Sequence, residues 1–552
     1  MDEREGATNV LFVVLDTVRK DHLTVYGYDR PTTPSLEAFA EEAAVYEGAV
    51  AQAPWTLPSH ATMFTGLYPG QHGASQERPY LEGTTTLAET LSAAGYDTAC
   101  FSSNAWITPY TRLTDGFGSQ DNFFQALPGD FLSNPLAGVW KRMTDSDTFR
   151  GVADTLVDWG NRVHEYMVSS GRDDSKTPQV IDQTTDFIDD ADGPFFAFIN
   201  LMDAHLPYHP PEEYRDQFAP GVDPNDVCQN SKEYNSGARD IDDEEWEAIR
   251  GLYDAELRHI DAQLGRLFEW LRTEGHWENT TVIVTADHGE LHGEHDLYGH
   301  EFGLYEPIVN VPLLVKHPDI EPGRIDRQLE LLDLYHTVLD VTGVDPREIE
   351  GVDAVDAPEP LAEGEESAPD GTEEAVAANG EGEPEAASPG ATWPGGPDEE
   401  YAVAFDPGRS LLGDEHRSFA GGEFGFVEYT RPIVELNQLE NKASRAGIEL
   451  DRQSRFYSRM RAIRRPDAKY VRNERITDEF YRLDEDPDET DDRFGEGDPA
   501  EAELLAALST FEERVGGPWK DGDEDPGTDG EEALEDMDEQ TRERLRDLGY
   551  ID

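Results

Sequence analysis

Cysteine is almost missing: Cys100 and Cys228 are the only two in 552 residues, too few for a disulfide framework. Long apolar runs are missing too, since none approaches the roughly 20 residues needed to span a bilayer. The opening Met1-Asp2-Glu3-Arg4-Glu5-Gly6 is acidic, and the apolar run behind it is too short for a secretory signal, so the expected location is cytoplasmic. Positive charge is scarce. Lys and Arg number 44, only eight of them Lys, against 118 Asp and Glu, for a formal net charge of −74. Such a field argues against nucleic acid as a partner. It also repels itself, and salt screens it. The composition is that expected of a surface living in molar salt, so the acidity reads as adaptation to a high-salt cytosol rather than as choice of partner.

Three segments carry chemistry. Asn9 to Leu15 is a continuous, β-branched apolar run with the length of a strand buried on both faces, and it stops at Asp16. Thr281 to Ala286 is a second such run, ending in Asp287-His288. In an open α/β sheet, ligands bind beyond the carboxyl ends of the strands, where these residues project. Carboxylates with an imidazole suit a divalent cation, Zn²⁺ or Mn²⁺ first, with Ca²⁺ or Mg²⁺ also admissible. The third segment is Trp55-Thr56-Leu57-Pro58-Ser59-His60. Pro58 fits the first turn of a helix, and Ser59 to Phe64 read as its continuation, so the Thr56 hydroxyl lies at a helix N-terminus, where a tetrahedral anion is well received. Each feature has a plainer reading: a helix cap at Thr56, turn formers at Asp16 and Asp287-His288.

Taken in order, N-V-L-F-V-V-L-D-T, T-L-P-S-H, D-H-G-E-L-H-G-E-H and G-L-Y-E-P-I-V-N-V-P-L-L-V resemble the sulfatase family of the alkaline phosphatase superfamily, over most of residues 9–345 and again near Met460 to Arg464. The resemblance implies a large, mostly parallel sheet flanked by helices, with a smaller C-terminal α+β subdomain carrying an antiparallel sheet. It also implies a metal-dependent hydrolase, or transferase, of phosphate or sulfate esters, with phosphoesters or phosphodiesters the expected substrates. Where the family has a Cys or Ser that becomes formylglycine, this chain has Thr56, so no formylglycine is expected. The motif's Arg is His60, the second Asp of the usual pair is Thr17, the Asn after the later Asp is His288, and the sulfate-contacting Lys is His300. A Thr with an Asp-His pair is similar to the phosphodiesterase-type branches of the superfamily.

The resemblance thus assigns Asp16, Thr56, Asp287 and His288 to the metal, with Thr56 as metal-activated nucleophile through a covalent intermediate. His205 falls where the family keeps a His near the leaving group, although a loop histidine beside Pro207 is its plainer reading. Asn104 matches a position that contacts a substrate oxygen. His300 is a candidate anion ligand or, with Asp203 and His205, part of a second metal site; His60 completes the catalytic set, while His292 and His295 default to structure. The implied partner is an anionic ester, with glycan- and lipid-linked forms included. A true sulfatase and a non-catalytic glycan-binding relative are the alternatives. Oligomeric state is not readable.

Composition divides the chain into 1–350, the catalytic α/β unit; 351–400, rich in Glu, Asp, Ala, Pro and Gly without Lys or Arg and expected to be a disordered linker; 401–490, the small subdomain; and 491–552, an acidic tail with short helices, one at Glu539–Leu548. Between Glu244 and Leu271, apolar residues recur every three or four positions, which predicts a long amphipathic helix. Trp140 and Trp159 are candidates for substrate-facing aromatics, with core packing the plainer role. The cluster Arg455, Arg459, Arg461, Arg464, Arg465, Lys469 and Arg472 either attracts an anion or forms salt-bridged strand faces.

Overall fold

A computed structural model describes residues 9–76, 78–122, 175–349, 352, 354–356, 403–412 and 424–515. Trp140, Trp159, the helix expected at 539–548 and nearly all of the 351–400 linker lie outside these residues.

Eight strands form the central sheet: β1 (Asn9–Leu15), β2 (Ala44–Val50), β3 (Asp97–Ser102), β4 (Ser119–Asn122), β5 (Phe195–Leu201), β6 (Thr280–Thr285), and then, after the short antiparallel pair β7 (Leu291–His292) and β8 (Tyr298–Gly299), β9 (Asn310–Lys316) and β10 (Gly323–Glu330). Their order is β10-β2-β9-β6-β1-β5-β3-β4. β1 runs parallel to β5 and β6, β3 to β5 and β4, and β10 to β2, while β9 runs against both of its neighbours. All seven residues of β1 and of β5 and all six of β6 are buried, as unbroken apolar runs covered on both faces must be. The sheet is therefore mostly parallel, and its carboxyl edge gathers the residues that follow β1, β5, β3 and β6.

The helices flank the sheet. The one that begins the Thr56 motif, α1 (Thr56–Thr65), is buried at all ten positions and ends on Gly66 at φ 68°, a left-handed cap that glycine adopts without strain. It starts three residues earlier than Ser59. Proline costs nothing there, because first-turn N–H groups have no intrahelical partner. α2 (Thr177–Asp190) packs on β5 and β3 and against α3 (Asp243–Glu274). On α3 the expected stripe of Trp246, Ile249, Tyr253, Leu257, Ile260, Leu264, Leu267 and Leu271 is buried throughout, and the Asp242 carboxylate caps the helix by accepting from Glu245 N–H. α4 (Asp333–Thr342) packs on α1.

A two-stranded parallel pair joins β11 (Ala354–Asp356) to β12 (Val403–Phe405) across the acidic stretch. Beyond it, β13 (Gly425–Tyr429), β14 (Met460–Arg465), β15 (Ala468–Asn473) and β16 (Glu479–Tyr481) form an antiparallel sheet. Helix α5 (Ile433–Ala446) follows β13, and α6 (Pro499–Arg514) lies on β14 and β15, with Phe511 stacked on Phe426 at 4.2 Å between ring centres. This smaller sheet docks on the larger one through its main-chain N–H groups: Glu428 N–H donates to the Gln52 carbonyl at 2.9 Å, and Phe426 N–H to the Glu330 carboxylate Oε1 at 2.9 Å. The basic cluster resolves as ion-paired strand faces. Arg455 meets Glu479, Arg459 meets Glu474, Arg461 and Arg472 share Glu512, Arg464 meets Glu306, Arg465 meets Asp467, and Lys469 meets Glu306 and Glu489. Among the described residues no helix is long and apolar enough to cross a membrane.

Candidate metal and nucleophile site

The end of β1 turns sharply. Asp16 N–H still donates to Leu201 O of β5 at 2.9 Å, and the next residue, Thr17, adopts φ 57°, a strained conformation for a β-branched side chain. Neighbours hold it there. Thr17 N–H donates to Asp287 Oδ1 at 3.4 Å, and Tyr253 of α3 donates its hydroxyl to Thr17 O at 2.9 Å while accepting Arg19 N–H at 2.8 Å. The strained turn thus aims Asp16 across the sheet edge toward the segment that follows β6.

Asp16, Asp287 and His288 come together there, each fully buried, with one ligand atom apiece within 4.8 Å of the others. Asp16 Oδ1, Asp287 Oδ2 and His288 Nε2 have no hydrogen-bond partner. Their remaining atoms are spoken for. Asp16 Oδ2 accepts from Asn104 Nδ2 at 2.7 Å and Asn200 Nδ2 at 3.1 Å, Asp287 Oδ1 accepts from His288 N–H at 3.0 Å, and His288 Nδ1 donates to Gly289 O at 3.0 Å. A carbonyl can only accept, so the neutral His288 ring carries its proton on Nδ1 and leaves a bare lone pair on Nε2. Burial, with the Asp16 charge beside it, pushes the Asp287 carboxyl well above its usual range, and burial holds His288 down to about 4. Three orphaned donor atoms at one buried point, two of them on carboxylates that repel each other, fit a divalent cation.

Thr56 enters this pocket at the head of α1. Its Oγ1 accepts from Asn104 Nδ2 at 3.3 Å, so one amide bridges Thr56 and Asp16. One turn on, Ser59 donates to Asp287 O at 2.8 Å and ties the helix to the β6 edge. His60 Nδ1 donates to Thr56 O at 2.9 Å and lies 3.6 Å from Asp287 Oδ2; burial lowers this imidazole to about 4. It is therefore a neutral group where the resemblance would have placed a cation. Among the described residues, the hydrogen-bond and ion-pair partners of Asp16, Thr56 and Asp287 are amides, hydroxyls and histidines, with no Lys or Arg.

His300 donates from Nδ1 to Pro54 O at 2.8 Å, and its ring lies 4.3 Å from that of His288 and 5.7 Å from that of His205. Burial first, then the neighbouring His288, His205 and Lys232, hold it well below its usual range. His205 donates from Nδ1 to Leu206 O at 2.6 Å. The second metal site expected from Asp203, His205 and His300 needs correction. Among the described residues these three do not group within ligand distance, because the turn after β5 sends Asp203 to Ser175 Oγ (2.9 Å) and His259 (3.8 Å). His292 is bound to Tyr208, and His295 stacks on Tyr305 at 3.5 Å.

Two contributors escape a reading of sequence alone. Asn200 ends the apolar run of β5 as Asp16 ends that of β1, so its polarity at a strand end was the available signal. Ser59 offers none, since its role depends on the approach of β6.

The sequence profile of the family described as Sulfatase matches residues 8–344. An arylsulfatase from Clostridium perfringens is 26% identical over 386 residues, covering 63% of this chain and 78% of the relative. A multifunctional alkaline phosphatase superfamily protein, PehA, from Trinickia caryophylli is 28% identical over 401 residues, covering 62% and 75%. The crystal structure of a phosphonate monoester hydrolase of Agrobacterium radiobacter superposes with a TM-score of 0.58 at 20% identity, covering 92% of this chain and 95% of that one.

Proposed function

The chain belongs to the sulfatase family and is a hydrolase of ester bonds; from that premise we propose that it cleaves singly charged tetrahedral esters, phosphodiesters foremost, with Thr56 as nucleophile. The observation that carries this reading is the Asn104 amide, which ties the Thr56 hydroxyl to Asp16 beside the unpartnered atoms of Asp287 and His288. Asp16, Asp287 and His288 would hold a divalent cation, and the Asn104 amide keeps Thr56 next to them. When bound, that cation supplies positive charge against the anion and lowers the cost of ionising a hydroxyl.

The chain's own residues do the rest. Thr56 gives up its hydroxyl proton to solvent, and its Oγ1 attacks phosphorus or sulfur in line, so that the new Thr56 ester bond forms as the bond to the departing alcohol breaks. Asn104 keeps the hydroxyl oriented, its two amide hydrogens directed to Asp16 Oδ2 and Thr56 Oγ1. His205, its Nδ1–H committed to Leu206 O, carries a proton on Nε2 only as the imidazolium, and in that form hands it from Nε2 to the departing alcohol. Water, or an acceptor alcohol in a transferase version, then cleaves the Thr56 ester. Threonine cannot be converted to formylglycine, so release by that route is closed.

Charge supports the substrate class. With His60 and His300 neutral and no Lys or Arg touching Asp16, Thr56 or Asp287 among the described residues, the pocket favours one negative charge over two. A phosphodiester or phosphonate monoester meets that condition. So does a sulfate monoester, the second reading, which the arylsulfatase relative favours. A purely glycan-binding role would leave three buried polar atoms unexplained. We also assign the acidic surface to a high-salt, haloarchaeal-type cytosol.

The test compares wild type with Thr56→Ala in molar KCl containing Mn²⁺ or Zn²⁺, on bis-aryl phosphate, aryl sulfate and aryl phosphate. The bis-aryl phosphate is expected to be the best substrate, and Thr56→Ala to lose at least about a thousandfold, the scale of a removed nucleophile. Full activity in the variant removes Thr56 from the chemistry. A preference for the sulfate replaces the first substrate class by the second.

A further inference from the structure

A buried group beside the site takes no part in the chemistry just described. Tyr208 is completely buried, and its hydroxyl is hydrogen-bonded to Glu290 Oε2 and lies 3.0 Å from His292 Nε2. Both partners are buried as well. Glu290 stands two residues after His288, on the segment that leaves the cation ligands. Tyr208 stands three residues after His205, on the segment that leaves β5. One hydrogen bond therefore joins the strand-end loop carrying the proton donor to the loop carrying the metal ligands, across 82 residues of sequence.

The described bonds of His205 are local: Nδ1 to Leu206 O at 2.6 Å, and N–H to Met202 O at 2.9 Å. They shape the turn without fixing it on the body of the protein. Fixation comes at Asp203, held by Ser175 Oγ and beside His259, and at Tyr208 and His209. Tyr208 N–H donates to Gln229 Oε1 at 3.0 Å, Gln229 Nε2 donates back to Tyr208 O at 3.0 Å, and His209 N–H donates to Glu256 Oε1 at 2.7 Å. Of these anchors, the Tyr208 hydroxyl alone reaches the segment that follows Asp287 and His288.

We propose that the Tyr208–Glu290 hydrogen bond sets the position of His205 relative to the metal-ligand loop, making Tyr208 and Glu290 positioning residues for protonation of the leaving group. The inference rests on the reading of His205 as proton donor. A shift of about 1 Å in a catalytic group is enough to cost on the order of a hundredfold in rate. That cost falls where the proton matters: an alcohol that leaves readily as its anion needs little help, and a poor leaving group needs much.

The experiment is a leaving-group series. Aryl esters from 4-nitrophenyl to unsubstituted phenyl, of whichever acid the wild type hydrolyses fastest, are assayed with wild type, His205→Ala and Tyr208→Phe. Log kcat/KM is plotted against leaving-group pKa. The wild type is expected to give a shallow slope and both variants steeper ones, with the Tyr208→Phe loss on the phenyl ester exceeding its loss on the 4-nitrophenyl ester by at least about tenfold. General damage to the fold lowers every ester alike and leaves the slope unchanged. If Tyr208→Phe does not fold, Glu290→Ala cuts the same bond from the other side, and Glu290→Gln, whose amide oxygen still accepts the tyrosine hydroxyl, is expected to keep the wild-type slope. A steep slope for His205→Ala with a wild-type slope for the bond-breaking variant overturns the positioning role alone. A wild-type slope for His205→Ala, or no turnover of any ester by wild type, overturns the proton-donor reading and the positioning role with it.

Discussion

At Asp287 two demands meet. Oδ1 braces the Thr17 turn, and Oδ2 is left facing Asp16 and His288 without a partner. Without a cation the two carboxylates repel in a buried place, and Asp287 is pushed well above its ordinary range. Asp287→Asn should therefore match or exceed wild type in Tm when both are metal-free, yet fail to gain Tm when Mn²⁺ or Zn²⁺ is added. Wild type should gain about 2.7 kcal/mol at a hundred times its Kd. Calorimetry with and without metal checks this, and an equal gain in both proteins would contradict the assigned ligands. Asp16 and Asp287 were legible in the sequence because each interrupts an apolar run at a strand end. Thr17's φ of 57° was not, because neighbours distant in the chain impose it. The resemblance grouped Asp203 and His205 with His300 as a second metal site, whereas Asp203 turns to Ser175 and His259 after β5.

A second carboxylate, besides Glu330, braces the join between the two sheets. Glu306 accepts from Arg464 through both of its oxygens (2.9–3.1 Å), from Lys469 at 3.3 Å and from Asn310 at 3.0 Å. Arg464 and Lys469 belong to β14 and β15, and Asn310 opens β9 of the larger sheet. Glu306→Ala strands a buried guanidinium, a change expected to cost about 3 kcal/mol or more. Denaturant unfolding should show a lowered midpoint, whereas a loss under 1 kcal/mol would mean that Glu489, paired with Lys469, and Gln328, whose Oε1 accepts from Arg464 at 2.6 Å, compensate. Periodicity revealed α3 and the buried strands, since a stripe every 3.6 residues or an unbroken apolar run is a local property. The reversed direction of β9 and the docking of β13 on Gln52 and Glu330 depend on long-range pairing, which no window of sequence contains. The arginine-rich cluster was ambiguous for the same reason: partners such as Glu306 and Glu512 lie far along the chain from it.

Over the whole molecule the net charge of −74 sets the working conditions. Self-repulsion among exposed acids weakens as salt shortens the screening length from about 10 Å at 0.1 M to about 3 Å at 1 M. Tm is expected to rise steadily with KCl into the molar range, by roughly 2–4 °C for each kcal/mol recovered. Thermal scans at fixed divalent metal test this, and a flat profile would separate the acidity from salt adaptation. Composition alone carried that inference. Location in the cell, by contrast, is a matter of what happens to the chain and leaves no mark on its packing. The helix that presents Thr56 is walled in along its entire circumference, all ten residues buried, its first turn tied to the β6 edge and its end closed by Gly66. Such a helix works as a fixed socket. With Thr56 as the nucleophile we propose, exchanging the side chain at position 56 would change the reagent that is mounted and leave the mounting point where it was.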